Sequence, residues 1–271
     1  MIEADRLPRR DETAVGRRWY PKFGGKGGNQ AVAAARAGVG ARMVGAVGCD
    51  GFGAFLLAAL DRAGVDRRFV TETDAAPSGM SVAVQDAAGD YAATIVSGAN
   101  LRIDVAALEQ GAVWEGVAAL VLQNEVAEAL NLAAARIARD RGLPVVLNAA
   151  PARALPRDLL ALTDVLVVNA VEAEMMGTPP VTDLASAVVA AGRLAAVVPQ
   201  VVVTAGGHGL ALAAGGQVQG IAAERVRVVS THGAGDMFTG TLAAGLARGQ
   251  GLADACRTAA RAAAAHVAGQ A

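Results

Sequence analysis

The sequence predicts an α/β fold: a three-layer sandwich with a mostly parallel central sheet, helices on both faces and a small β lid. Short apolar runs rich in β-branched residues alternate with Ala- and Leu-rich stretches along the 271 residues. Strands that are apolar throughout are typical of parallel sheets buried on both faces. Two stretches of polar–apolar alternation depart from this pattern, and we assign them to the lid.

Five apolar runs predict core strands, and five Ala- and Leu-rich stretches predict helices. The strand runs read ARMVGAV, AALVLQ, PVVLNA, DVLVVNA and QVVVTAG. The helical stretches are residues 31–37, 55–63, 130–141 and 184–198, and the run after Gly235. This alternation indicates successive strand–helix–strand units. No repeat or linker divides the sequence, so we expect one domain over residues 1–271.

The lid is predicted at residues 11–23 and 80–97. The stretch SGMSVAVQDAAGDYAATIVSGAN alternates polar and apolar residues around the turn-like DAAGD, which favours an antiparallel hairpin. The stretch ETAVGRRWYPKF is assigned to the same small sheet. The alternative is that both stretches extend an edge of the main sheet.

Composition excludes several function classes. The 24 basic and 25 acidic residues are interspersed and give a net charge of −1, unlike the basic surface of a nucleic-acid-binding protein. The start, MIEADRLPRRDET, is too charged for a signal peptide, and the uncharged residues 194–223 are interrupted by Pro and Gly. Cys49 and Cys256 match no metal-binding spacing. We therefore expect a cytoplasmic protein with neither nucleic-acid nor membrane partners.

A glycine-rich loop in FGGKGGNQAVAAARAG precedes a helix predicted from about Asn29. Its four glycines would let backbone N–H groups approach a ligand closely, and Lys26 and Asn29 can add side-chain hydrogen bonds. Neither a Walker A loop nor a G-x-G-x-x-G segment occurs in the sequence, which argues against a P-loop or a Rossmann dinucleotide site. The alternative is a tight turn that needs glycine only for its backbone.

A single carboxylate stands at the start of a second helix, in VSTHGAGDMFTGTLAAG. The backbone N–H groups of Ala234, Gly235 and Asp236 are predicted at the helix N-terminus, which is a favourable site for an anion. The Asp236 carboxylate can act there as a general base on a hydroxyl. Together these features predict phosphoryl transfer from a nucleotide to an alcohol. The alternative is an Asp that only caps the helix.

The two segments GGKGGNQAVAAARAG and THGAGDMFTGTLAAGLARG together resemble the signature segments of the ribokinase-like, or PfkB-type, sugar kinases. The similarity runs from about residue 5 to about residue 267. It includes RLPRRDET, GCDGFG, SGAN, LNAAPARALPRDLLALTDVLVVNAVEAE and TAGGHG. The resemblance implies ATP-dependent phosphorylation of the primary hydroxyl of a sugar such as D-ribose. A nucleoside or fructose-type substrate, and a degenerate homologue that binds without turnover, remain open.

The resemblance also implies roles for individual residues. Asp236 corresponds to the catalytic base, and the amides of Ala234, Gly235 and Asp236, which follow Gly233 in the same catalytic segment, correspond to the anion hole. Sugar-contacting positions correspond to Gly25, Lys26, Asn29 and Glu125. Nucleotide-contacting positions correspond to Asn169, Thr204, Gly206 and Gly209. Glu172 corresponds to a residue that organises Mg²⁺ through water. Ser230 and Thr231 fall near the family's monovalent cation, such as K⁺.

Each of these roles has a simpler alternative. Glu125 can be a surface acid after a strand, and Asn169 and Glu172 can cap the helix that follows them. Ser230 stands where the family usually has an Asp that supports the cation, which argues against activation by K⁺.

The resemblance further implies a homodimer formed through the lid. It implies, in addition, that the family's first core strand, which carries a sugar-binding Asn-x-Asp, and its C-terminal helix are absent from this sequence. A chain without that strand is expected to bind sugar weakly.

Overall fold

The computed structural model describes residues 1–87 and 91–270. Within these ranges the chain forms twelve strands and nine α-helices. The strands are β1 (Ile2–Glu3), β2 (Arg18–Trp19), β3 (Arg42–Gly48), β4 (Asp66–Thr73), β5 (Met80–Gln85), β6 (Tyr91–Val96), β7 (Leu120–Leu122), β8 (Val145–Asn148), β9 (Val165–Asn169), β10 (Gln200–Thr204), β11 (Leu210–Ala214) and β12 (Gln217–Ile221). The helices are α1 (Lys26–Arg36), α2 (Gly51–Arg62), α3 (Gly111–Trp114), α4 (Glu128–Asp140), α5 (Arg157–Ala161), α6 (Ala170–Met175), α7 (Leu184–Leu194), α8 (Ala234–Ala247) and α9 (Leu252–Val267).

The main sheet has six strands in the order β12-β11-β10-β9-β8-β7. Strands β7 to β10 are parallel, and β11 and β12 add an antiparallel edge. Successive side chains of a strand point to opposite faces. Val145 and Leu147 therefore pack with α4, α5 and α7, whereas Val146 packs with α8 and α9. The chain thus has the predicted three layers, with an apolar core on each face of the sheet.

The five runs predicted as core strands form β3, β7, β8, β9 and β10. One detail differs from a single central sheet: β3 pairs with β4 in a separate two-stranded parallel sheet. In the part of the chain that the structure describes, no strand joins β3 to β7. Residues of both strands line a cavity of about 1550 Å³.

The small sheet has the order β2-β1-β5-β6. Strands β5 and β6 pair antiparallel, with Met80 opposite Val96. The last three residues of the predicted DAAGD turn, 88–90, lie outside the described residues. The first predicted range, 11–23, supplies only β2. Strand β1, which lies outside both ranges, pairs with β2 and β5 and joins them into one sheet.

Helix α1 begins at Lys26, three residues before the predicted start, because Gly25 adopts a positive φ of 85° at the N-cap. It packs closely against α8 at Gly240. A Cβ atom on Gly240 would lie 2.6 Å from the Ala33 Cβ and would also collide with the backbone oxygen of Gln30. Only glycine allows the two helices to approach this closely, and the approach brings the start of α1 beside the start of α8.

None of the helices in the described ranges combines the length and the apolar character that a membrane span requires.

We expect Gly240→Ala to lower the free energy of unfolding by about 1–3 kcal/mol, because the added methyl overpacks the α1–α8 contact. Gly192 on α7 is the matched control, since its Cβ would meet only the Val218 Cγ2 at 3.6 Å. Gly192→Ala should leave stability unchanged or raise it by up to about 1 kcal/mol. Urea denaturation of both variants measures the difference, and equal stabilities would contradict the packing argument.

Candidate active site

Asp236 lies in the first turn of α8, behind an N-cap glycine, Gly233, in the left-handed region with φ of 79°. Its side chain is buried, with 8% of the residue exposed. The Ala234 N–H donates to the Thr231 carbonyl at 3.2 Å, whereas the N–H groups of Gly235 and Asp236 have no backbone acceptor among the described residues. Two of the three predicted amides are therefore free to bind an anion at this helix end.

The Asp236 carboxylate is held by two side-chain amides from α1. Asn29 Nδ2 donates to Asp236 Oδ2 at 2.8 Å, and Gln30 Nε2 donates to Asp236 Oδ1 at 3.0 Å. An ionised carboxylate has about four acceptor positions, so each oxygen keeps a free lone pair. The carboxylate is thus fixed in place and still able to accept a proton.

Glu125 follows β7 and faces the N-terminus of α1. Its Oε2 accepts a hydrogen bond from the Lys26 backbone N–H at 2.7 Å, and the structure gives it no other hydrogen bond among the described residues. Burial raises the pKa of the Glu125 carboxyl, and the Lys26 N–H and the Lys26 charge partly oppose this rise. Glu125 is therefore not a free surface acid: it anchors the glycine-rich loop and lines the cavity.

Asn169 and Glu172 form a capping box at the start of α6. The Glu172 N–H donates to Asn169 Oδ1, and the Asn169 N–H donates to Glu172 Oε2, both at 2.9 Å. Asn169 and Glu172 thus cap the helix that follows them, as the simpler alternative predicted. Both residues also line the cavities described below. Burial raises the pKa of the Glu172 carboxyl, with the Asn169 N–H acting in the opposite direction. A nearby cation would stabilise the ionised form of such a buried carboxyl.

Thr204 ends β10 beside Asn169 at the end of β9, because the register pairs these two residues. Gly206 opens the following single-turn helix with φ of 55°, and Gly209 closes it with φ of 108°. A Cβ on Gly209 would lie 2.8 Å from the Ala223 backbone nitrogen. Glycine is required here by the backbone, and Gly206 and Gly209 line neither of the two cavities.

Two cavities meet at Asp236. The larger one reaches the lid and the glycine-rich loop, and a smaller one of about 120 Å³ is lined by the ends of β9 and β10 and the start of α8. The residues that line both cavities are Lys26, Asn169, Glu172, Gly233 and Asp236. Lys26 forms no ion pair with any described residue, so its charge is available to an anionic ligand. This arrangement suits two ligands that react across one carboxylate.

The resemblance implies sites for Mg²⁺ and K⁺. No group of three or more His, Cys, Asp or Glu able to hold a metal occurs in the described residues. Mg²⁺ usually binds one or two carboxylates and completes its shell with phosphates and water, so Glu172 fits it. Ser230 and Thr231 are exposed, and the Ser230 hydroxyl accepts only from the His232 N–H at 3.3 Å. These two residues do not form a cage for K⁺.

Comparison with known proteins identifies the family. The family model described as pfkB family carbohydrate kinase matches residues 1–270. The chain belongs to this family.

Relatives of this pfkB-family chain are ribokinases. The ribokinase of Bacillus subtilis (strain 168) is 34% identical over 267 residues, which cover 97% of this chain and 87% of the relative. That of Staphylococcus aureus (strain COL) is 33% identical over 237 residues, covering 86% and 77%. The structure of Arabidopsis thaliana ribokinase complexed with ribose and ATP superposes with a TM-score of 0.88 at 29% identity, covering 98% of this chain and 88% of that one.

The predicted family and the predicted fold class are therefore confirmed. Carbohydrate kinases are phosphotransferases that act on an alcohol group, which is the reaction class predicted from Asp236 and its helix end.

Four polar residues at the site were missed by sequence reasoning. They are Gln30, Gln123, Asn148 and Thr239. Gln30 directly follows Asn29 in the glycine-rich segment, and this proximity was the only available signal. Thr239 lies one turn after Asp236, and its Oγ1 is buried without a hydrogen-bond partner among the described residues.

Proposed function

We propose that this chain transfers the γ-phosphoryl group of ATP to the primary hydroxyl of a sugar, with D-ribose as the substrate. The observation that carries the proposal is the position of Asp236, a fixed carboxylate between two cavities and beside two free helix N-terminal amides. Ribokinases are its relatives, and one structural neighbour is a complex with ribose and ATP.

In the proposed reaction, Asp236 accepts the proton of the sugar hydroxyl. The hydroxyl oxygen forms a bond to the γ-phosphorus, the bond from that phosphorus to the β,γ-bridging oxygen breaks, and ADP leaves. The amides of Gly235 and Asp236 stabilise the negative charge of the transferred group. Lys26 contributes positive charge from the N-terminus of α1.

The sugar is proposed to bind in the larger cavity at the glycine-rich loop. Glu125, Lys26 and Asn29 present a carboxylate, a cation and an amide there, a set that can accept from and donate to several hydroxyls. Gly25 supplies the positive φ of 85° at the turn into α1, and the next N–H, that of Lys26, donates to Glu125 Oε2 at 2.7 Å.

The nucleotide is proposed to extend from the smaller cavity along the loop after β10. Asn169 lies near the phosphates, and Thr204, Gly206 and Gly209 line the nucleotide path. When bound, Mg²⁺ would neutralise phosphate charge, and Glu172 would orient its water ligands. No K⁺ site is assigned to Ser230 and Thr231 in this proposal, because these exposed residues form no cage for that ion.

A cytoplasmic location is part of the same proposal. Both cysteines, exposed Cys49 and buried Cys256, are free thiols, which suits a reducing compartment.

The separation of β3 from β7 supports a further proposal. Among the described residues β3 pairs only with β4 and β7 only with β8, and residues of both strands line the large cavity. A free strand edge pairs readily with added chain. One additional strand carrying Asn-x-Asp would fit between them and place a carboxylate near the sugar. Appending such a strand to the N-terminus should lower the KM for ribose, whereas an unchanged KM would oppose the proposal.

Other substrates of the same reaction class are alternatives to ribose. Release of ADP in the presence of ribose, fructose and nucleosides, each tested separately, ranks them by kcat/KM. Nucleotide binding without turnover of any of these acceptors would instead support a binding homologue.

The decisive substitution is Asp236→Asn. The amide retains the size of the side chain but cannot accept the proton, so kcat should fall by about 10²- to 10⁴-fold while ATP still binds. Asp254→Asn, in the first turn of α9, is the matched control and should keep parental activity. Ribose-dependent ADP release measures both variants, and full activity in Asp236→Asn would reject the kinase proposal.

Sugar affinity should depend on pH through Glu125. Because burial raises the pKa of this carboxyl above 4.5, its ionised fraction falls at a higher pH than that of an exposed glutamate. The KM for ribose should therefore rise as the pH falls through the raised pKa, and Glu125→Gln should remove this dependence. Glu128→Gln, on the exposed start of α4, should retain the parental profile. A parental profile in Glu125→Gln would contradict a role in sugar binding.

The lid offers a surface for a homodimer. Strand register places Trp19, Val82, Met80 and Val96 on one face of the small sheet, and all four are at least 37% exposed. Val82→Glu should convert a dimer into a monomer, as measured by sedimentation velocity. Val189→Glu, at an exposed apolar position on α7, should leave the dimer intact. A parent chain that is monomeric at tens of micromolar would exclude this arrangement.

A further inference from the structure

Gln30 is the most buried polar residue that touches Asp236. Only 3% of the residue is exposed, and its Nε2 donates to both Asp236 Oδ1 and Asn148 Oδ1 at 3.0 Å. The amide group has two N–H bonds, and each of them is used. The pairing joins the first helix to the last third of the chain.

The orientation of the Gln30 amide is fixed from both ends. Gln123 Nε2 donates to Gln30 Oε1 at 2.9 Å, so the oxygen of Gln30 points toward β7. Asn148 Nδ2 donates to the Val167 carbonyl at 3.2 Å, which leaves Asn148 Oδ1 as the acceptor for Gln30. Reversing the Gln30 amide would set oxygen against oxygen at both Asp236 and Asn148. The relay Gln123–Gln30–Asn148 therefore always presents a donor to Asp236.

The two carboxylate oxygens of Asp236 therefore differ in how firmly their hydrogen-bond donors are held. Oδ1 is held by Gln30, which is buried and locked by the relay, whereas Oδ2 is held by Asn29, which is half-buried and lines the large cavity. Gln30 lines the same cavity, but only 3% of it is exposed and both of its amide N–H bonds are used. A ligand hydroxyl that enters the cavity therefore displaces the Asn29 amide from Oδ2 more readily than it displaces Gln30 from Oδ1.

From these contacts we propose that Gln30 is a positioning residue that holds Oδ1 of Asp236 and thereby makes Oδ2 the oxygen that receives the substrate proton. This inference rests on the proposed kinase function and assigns to Gln30 a role that acts through Asp236. Without Gln30, the Asp236 side chain can rotate about χ1 and χ2, and the proton acceptor is no longer aligned with the hydroxyl.

The test compares Gln30→Met, Gln123→Met and Thr163→Val with the parent chain. Met matches Gln in length and removes the amide. Loss of a hydrogen bond to a charged group predicts a fall in kcat of about 10- to 100-fold for Gln30→Met, with the KM for ATP within about twofold of the parent. Gln123→Met removes only the group that orients Gln30, so a smaller fall of about 2- to 10-fold is expected.

Thr163→Val is the control for loss of a buried polar group. Thr163 is fully buried and donates to the Leu159 carbonyl before β9, at the opposite end of the sheet from Asp236. The Thr163→Val substitution should lower the melting temperature and leave kcat unchanged. Melting temperatures of all three variants separate a loss of folded protein from a loss of catalysis.

A double-mutant cycle gives the decisive readout. If Gln30 acts through Asp236, Gln30→Met should change the residual rate of Asp236→Asn by less than about twofold, since the base is already absent. Additive losses, or a parental kcat in Gln30→Met, overturn the role of Gln30 and leave the kinase function standing. If the parent chain itself phosphorylates no sugar or nucleoside while binding ATP, the kinase function fails, and the role of Gln30 fails with it.

Discussion

The close approach of α1 and α8 at Gly240 is the contact on which the site depends. Asp236 lies one helical turn before Gly240 on the same face of α8, and Asn29 and Gln30 lie at the matching height on α1. The amide groups reach the carboxylate because no side chain separates the two backbones. Since α8 also packs on the main sheet through Phe238 and Leu242, the same contact ties the glycine-rich loop to the core. The geometry of the base is therefore set by helix packing rather than by the loops around it.

The charges of the site are balanced by backbone groups as much as by side chains. Glu125, Glu172 and Asp236 place three carboxylates around one lysine, Lys26, and burial raises the pKa of the first two. Each of the three accepts a hydrogen bond, Glu125 from the first N–H of α1 and Glu172 from the N–H of the α6 N-cap. Helix N-termini stabilise negative charge, so they offset part of this repulsion. Anionic phosphates would bring more negative charge, which the charge of Lys26, unpaired among the described residues, would partly offset.

Local patterns predicted most of the fold, whereas contacts between distant segments could not be predicted. The apolar runs form β3 and β7 to β10, and GAGD forms the start of α8. These elements could be predicted because hydrophobic periodicity and the position of glycine determine local structure within a few residues. The separation of β3 from the main sheet depends on which strand edges meet, and no short stretch contains that information. In the relay, Gln30 lies 93 residues from Gln123 and 118 residues from Asn148 in the sequence. No short stretch of sequence can therefore indicate it. The role of Ala234 could not be predicted either, since its N–H is taken by the carbonyl of Thr231, three residues earlier.

The position of Asp236 also bears on the choice between a kinase and a protein that only binds. A helix N-terminus with free amides attracts a phosphate, but a carboxylate in the same turn repels it. A site selected only for binding would gain affinity from a neutral or cationic residue at this position. The carboxylate becomes useful once a hydroxyl must lose a proton as phosphoryl transfer begins, because its benefit then appears in the transition state. The side-chain amides of Asn29 and Gln30 hold this carboxylate and leave lone pairs free on its oxygens. Binding of a phosphate does not require such an arrangement. The structure of the site is thus better matched to turnover than to binding alone.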